Sequence, residues 1–156
     1  MIVAFGTSRP TSTITVEGVE KLHGAEHRVI PDRIEAGTFL TAGAITRGAV
    51  TVQQVIPQHL QAVTRLLEET GFPFAHGEDW VGLRCNGATT ARDVVTGSYP
   101  AFPTDMQAQI MALMCVTPGV SVVTERVFPD RFMHVAELQR MGAQIEMEGA
   151  TAVVKG

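Results

Sequence analysis

Hydrophobic and polar positions along this chain repeat at a spacing of 71 residues. Residues 48–71 laid over 119–142 give the same order twice. A β-branched run opens each copy, Val50-Thr51-Val52 in one and Val120-Ser121-Val122-Val123 in the other. Such runs favour strands, and Pro57 and Pro129 mark the turns that follow them. Apolar residues then recur at helical spacing: Leu60, Val63, Leu66 and Leu67, matched by Phe132, Val135 and Leu138. Gly71 and Gly142 stand where a helix end favours a left-handed residue. Two short strands close each copy, 72–75 and 80–85 in the first, 143–147 and 151–154 in the second. The turns between them are His76-Gly77-Glu78-Asp79 and Glu148-Gly149-Ala150.

Upstream of each copy, residues 27–30 and 93–96 read as strands. They lead to helices over about 33–46 and from Pro103-Thr104-Asp105 to about Val116. Each unit is therefore β-α-β-α-β-β, over about 24–86 and 92–156, and a strand at 12–16 is left from a preceding unit. The predicted fold class is mixed, α+β or α/β, with one sheet per unit and helices between units sharing a core. Neither common glycine-rich phosphate loop is present, so the alternation does not imply a nucleotide fold.

Composition narrows the functional classes. The 156 residues suffice for one domain with a substantial core. Twelve Lys and Arg against sixteen Asp and Glu give a net charge of −4, without the basic stripe of a nucleic-acid binder. No apolar run is long enough to span a membrane, and the start, Met1 to Gly6, lacks the basic flank of a signal peptide. Cys85 and Cys115 lie in separate predicted elements without metal-type spacing, which suggests two buried thiols in a cytoplasmic protein. His23 and His27 alone have i, i+4 spacing, beside Gly24 in a predicted turn, so no metal site is expected.

The candidate chemistry centres on Phe102-Pro103-Thr104-Asp105-Met106-Gln107-Ala108-Gln109. Pro103 suits a helix entrance, and Thr104 or Asp105 can accept bonds from the first turn's free N–H groups. Two readings stay open for Asp105. It is a plain N-cap, or it is an ionised carboxylate at a cleft edge that accepts a proton from a substrate hydroxyl. Asp32 and Glu35 likewise fit capping at the start of the first unit's helix.

Three spaced motifs carry a resemblance. Pro31-Asp32-Arg33-Ile34-Glu35-Ala36-Gly37-Thr38-Phe39, Ala101 through Gln109, and Arg131-Phe132-Met133-His134-Val135 resemble UDP-N-acetylglucosamine enolpyruvyl transferases. The resemblance runs from about Thr11 to Gly156. It implies an inside-out α/β barrel, two domains of three such units each. It also implies the first committed step of peptidoglycan precursor synthesis. There the enolpyruvyl group of phosphoenolpyruvate moves to the 3-hydroxyl of UDP-N-acetylglucosamine, with no cofactor. Through the resemblance Asp105 is the base on that hydroxyl. Val127 contacts the sugar nucleotide through its backbone, Arg131 steadies the anionic pyruvyl or phosphate part, and Asp32 is a second-tier substrate contact. A guanidinium suits the role given to Arg131 through its paired planar donors.

The sequence also departs from that family. Family chains are more than twice as long. Their N-terminal Lys-Asn pair, mobile Cys loop and later Asp-Leu-Arg motif have no counterpart here, and Met1 to Pro10 match nothing. The chain is therefore expected to be most of one domain, inactive by itself, with uncovered apolar faces that favour self-association. The alternatives are a sugar-nucleotide-binding or partner-binding half without catalysis, and a purely structural remnant.

Overall fold

A computed structural model describes residues 18–156; the strand expected at 12–16 lies outside them. The described residues fall into two units, 18–30 and Pro31–Gly156. Residues 27–30 form no strand, contrary to expectation. Their apolar side chains, Val29 and Ile30, are exposed, and a strand forms only where its backbone groups find a ladder.

Within Pro31–Gly156 the order is α1 (Arg33–Ile45), β1 (Ala49–Gln53), α2 (Gln61–Thr70), β2 (Phe74–His76), β3 (Trp80–Arg84), β4 (Val94–Val95), α3 (Gln107–Met114), β5 (Val120–Thr124), α4 (Met133–Arg140), β6 (Gln144–Glu148) and β7 (Thr151–Lys155). The second copy is β-α-β-α-β-β in full. Two sheets form, ordered β1-β3-β2 and β4-β5-β7-β6, antiparallel except for the β4–β5 pair.

The repeat extends to strand register. Ala49 faces Arg84 and Gln53 faces Trp80; at the same spacing Val120 faces Lys155 and Thr124 faces Thr151. Phe74 opposite Leu83 is repeated as Ile145 opposite Val154. The helix ends repeat too. Gly71 has φ 113° and Gly142 φ 99°, and the residue after each donates its N–H to the carbonyl of Leu67 or Leu138. That six-residue closure requires a left-handed residue, so both glycines are structural.

α1 and α3 lie side by side at the centre, α1 on β1 and β3, α3 on β5 and β7. Close approach sets the composition of α1. A Cβ on Gly43 would sit 2.6 Å from the Val50 side chain, and one on Gly37 would sit 3.1 Å from Met106. α3 is buried almost all round, with Ile110, Met111, Leu113 and Met114 at 1% exposure or less, as expected for a helix apolar on every side. Thr38 and Gln109, equivalent positions 71 residues apart, bond across the two helices at 3.0 Å. Cys85 and Cys115 are half-buried free thiols rather than buried ones; burial pushes the Cys115 thiol up. Among the described residues, no helix is long and apolar enough to cross a membrane, and no group of three His, Cys, Asp or Glu could hold a metal ion.

Candidate functional site

The candidate residues gather where α3 begins and the β5–α4 loop turns. Asp105 is not the cap that the sequence suggested. Thr104–Met106 form a 3₁₀ turn after Pro103, and no side chain caps it. The Asp105 carboxylate turns outward instead, and Oδ1 accepts a bond from Arg131 Nη1 at 2.7 Å. The two side chains are 52% and 39% exposed. An open pair of this kind contributes little to stability, about 0–1 kcal/mol. The helix is entered through the 3₁₀ turn, whose N-cap position is Pro103 and after which Met106 takes the N-cap position of α3, so Asp105 lies inside the turn and neither cap position carries a side-chain acceptor.

Asp32 behaves differently. It caps α1, accepting from Ile34 N at 2.7 Å and Glu35 N at 3.3 Å. Among the described residues its hydrogen bonds are those of a cap, and none joins it to Asp105 or Arg131. Nor is it the counterpart of Asp105, because the shared spacing pairs Asp105 with Ile34 and Arg131 with Leu60. The repeat carries the scaffold in both copies and these charges in the second alone.

A buried acid absent from the sequence reading links the group. Glu125 follows β5 and is 2% exposed. Its Oε1 accepts from the Thr96 hydroxyl at 2.6 Å and from the backbone N–H groups of Val127 and Phe128 at 2.8 and 3.1 Å. Its Oε2 accepts from the Thr104 hydroxyl at 2.8 Å. Burial would raise its pKa, but these bonds outweigh burial and hold it below the usual carboxylate range. Val127 therefore stands two residues beyond the anchor, with its N–H turned inward to Glu125. Its N–H is committed to that bond, which leaves its carbonyl as the backbone group for any ligand contact. Strand parity was the available signal: Ser121 and Val123 are fully buried, and two residues on the same face is Glu125.

Around Arg131, Phe128, Pro129, Asp130 and Met133 line an open hollow of about 450 Å³. The guanidinium lies 5.5 Å from the Phe128 ring centroid, within cation–π range. A larger hollow of about 700 Å³ runs between α2 and residues 93–95 and 100–102, but neither Asp105 nor Arg131 reaches it. Gln107, 1% exposed, donates to the Arg131 carbonyl at 3.1 Å and fixes where α4 begins.

His134 has its Nε2 buried without a partner. Burial first, then the Arg131 charge, lower its pKa. The unfolded chain therefore takes a proton at higher pH than the folded one, and stability falls as pH drops below about 6.5. The loss is complete once pH passes the lower folded value. Melting temperature should fall between pH 7.5 and 5.5, and His134→Gln should flatten that fall. An unchanged pH slope in the variant would contradict this assignment.

The profile of the family described as EPSP synthase (3-phosphoshikimate 1-carboxyvinyltransferase) matches residues 1–156. The chain belongs to the EPSP synthase family. Its fold is accordingly the mixed α/β fold of enolpyruvyl transferases. The enolpyruvyl transferase NikO from Streptomyces tendae superposes with a TM-score of 0.70 at 21% identity, over 82% of this chain and 31% of NikO. Within the EPSP synthase family, the chain is 51% identical over 146 residues to UDP-N-acetylglucosamine 1-carboxyvinyltransferase of Halorhodospira halophila. It is 53% identical over 146 residues to the enzyme of that name in Koribacter versatilis. With UDP-N-acetylglucosamine 1-carboxyvinyltransferase 1 of Staphylococcus aureus it shares 51% over 150 residues. These alignments take in 94%, 94% and 96% of this chain. The chain spans about a third of those relatives' length, 35%, 34% and 36% in turn.

Proposed function

We propose that this chain carries the acceptor-hydroxyl side of a site for enolpyruvyl transfer from phosphoenolpyruvate to UDP-N-acetylglucosamine, as in peptidoglycan precursor synthesis. The observation that carries the reading is the Asp105–Arg131 pair, 2.7 Å apart and drawn from two separate motifs. Arg131 occupies Oδ1 of Asp105, and among the described residues no bond engages Oδ2. Oδ2 is then the oxygen that takes the proton of the sugar 3-hydroxyl. Arg131 holds pyruvyl or phosphate charge beside it through its planar donors. The Val127 backbone faces the sugar nucleotide. Asp32, a cap on α1, is a secondary contact. A cytoplasmic location belongs to the same proposal, supported by two free thiols; fractionation of the protein into the cell envelope would overturn it.

A second reading keeps the binding and drops the catalysis, leaving a sugar-nucleotide-binding half. The open setting of the Asp105–Arg131 pair favours it. Calorimetry with UDP-N-acetylglucosamine tests both. Binding is expected, weakened ~10-fold or more by Asp105→Ala, the size of a lost bond to a charged group. A chain that takes up no sugar nucleotide defeats both readings.

Self-association through exposed apolar residues, such as Phe39 at 57% and Val120 at 56%, is part of the proposal. Light scattering should show mass rising with concentration, and a constant monomer mass removes this part.

A further inference from the structure

The hydrogen bonds that converge on Glu125 have a fixed direction. An ionised carboxylate only accepts, and a threonine hydroxyl has one proton to give. Thr104 commits that proton to Glu125 Oε2 at 2.8 Å, so its lone pairs are what Arg131 meets. Arg131 Nη1 donates to Thr104 Oγ1 at 3.2 Å and to Asp105 Oδ1 at 2.7 Å. The other Glu125 oxygen pins the loop through the Val127 and Phe128 N–H groups, and Arg126 N donates to Thr96 Oγ1 at 2.9 Å.

We propose that Thr104 and Glu125 are positioning residues that lock Arg131 onto Asp105 and hold the 126–128 loop in the same rigid unit. The inference rests on the reading of Asp105 and Arg131 given above, and it assigns neither Thr104 nor Glu125 a contact with substrate. The repeat argues that the arrangement is not a demand of the fold. At the shared spacing the first copy has Arg33 for Thr104 and the exposed Gln54 for Glu125, yet it folds with the same register. A buried carboxylate is costly unless its bonds are complete, and here the completed bonds lead to Arg131 and to the backbone of Val127. Bonds in such a chain support one another, so loss at one member reaches the next.

The test uses nuclear magnetic resonance on the 156-residue chain without substrate. Thr104→Val should release the slowed rotation of the Arg131 guanidinium and move the Asp105 carboxyl signal, leaving the Val127 and Phe128 amide signals in place. Thr104→Ser should restore both. Glu125→Gln, which keeps shape but replaces an acceptor by a donor, should move the Arg131 and Val127 signals together. Arg131 and Asp105 signals that stay put in both folded variants overturn the inference. Should Thr104→Val not fold, Glu125→Gln decides alone. A calorimetric arm with UDP-N-acetylglucosamine should show ~3–10-fold weaker binding for Thr104→Val, a weak-bond loss. If the unaltered chain does not bind the sugar nucleotide, the functional reading fails while the resonance arm still decides the positioning.

Discussion

Replacing Leu67 by Ala should cost ~2–5 kcal/mol, against ~1 kcal/mol or less for Leu138→Ala at the equivalent position of the repeat. Leu67 is fully buried in α2, whereas Leu138 in α4 is half-buried at the edge of the same core. Both backbones do the same work: the carbonyl of each accepts the N–H that closes its helix, from Phe72 and from Ala143. Those bonds survive truncation to Ala, so the comparison isolates burial from helix closure. A domain of this size has roughly 5–15 kcal/mol in hand, and the Leu67 variant loses a large part of it. Urea midpoints at constant slope read the difference. Equal losses at the two positions would mean that helix closure, not burial, sets the stability of each unit.

The same pair of positions shows why the scaffold is legible in the sequence. The Gly71 and Gly142 stops, the β-branched runs and the helical spacing are local signals, each tied to one backbone requirement. All of them recur at one interval, and the register of both sheets follows that interval. The strand expected at 27–30 shows the limit of such signals. Val29 and Ile30 suit a strand, but a ladder is a property of two segments, and composition in one does not supply the other.

The site was less legible. Asp105 has an N-cap's residue type and place, yet its partner is Arg131, 26 residues on. Capping propensity is local and this pairing is not. The motif match put Asp105 and Arg131 forward together, and the geometry places them in contact. Glu125 escaped notice because Thr124 to Pro129 looked like a turn. Two-residue parity from Ser121 and Val123 would have placed its side chain inward, and a carboxylate on an inward face must be bonded or protonated. Asp32 and Asp105 look like parallel acids until the interval is applied, when Asp105 falls opposite Ile34.

The 156-residue chain alone is expected to release phosphate from phosphoenolpyruvate and UDP-N-acetylglucosamine no faster than a blank. The transfer needs a proton taken from the sugar hydroxyl, a proton given to the enol carbon, and the phosphate and carboxylate charges held as they shift. On the proposed reading Asp105 meets the first need and Arg131 part of the third. Arg131 already neutralises Asp105, and both stand 39% or more open to water. Water there screens the charges that a closed site would leave strong. Among the described residues no other charged side chain bonds to Asp105 or Arg131, and each donor or charge that a transfer site lacks typically lowers turnover ~10²–10³-fold, two of them by ~10⁴ or more. Binding need not fall with turnover, because contacts made equally in the ground and transition states set affinity alone. A chain that binds the sugar nucleotide, weakens on Asp105→Ala and releases no phosphate therefore fits the proposal. Phosphate release at an ordinary enzyme's rate of roughly 1 s⁻¹ or more would mean that a donor for the enol carbon and further charge stabilisation lie within these residues, and would overturn the division of labour drawn here.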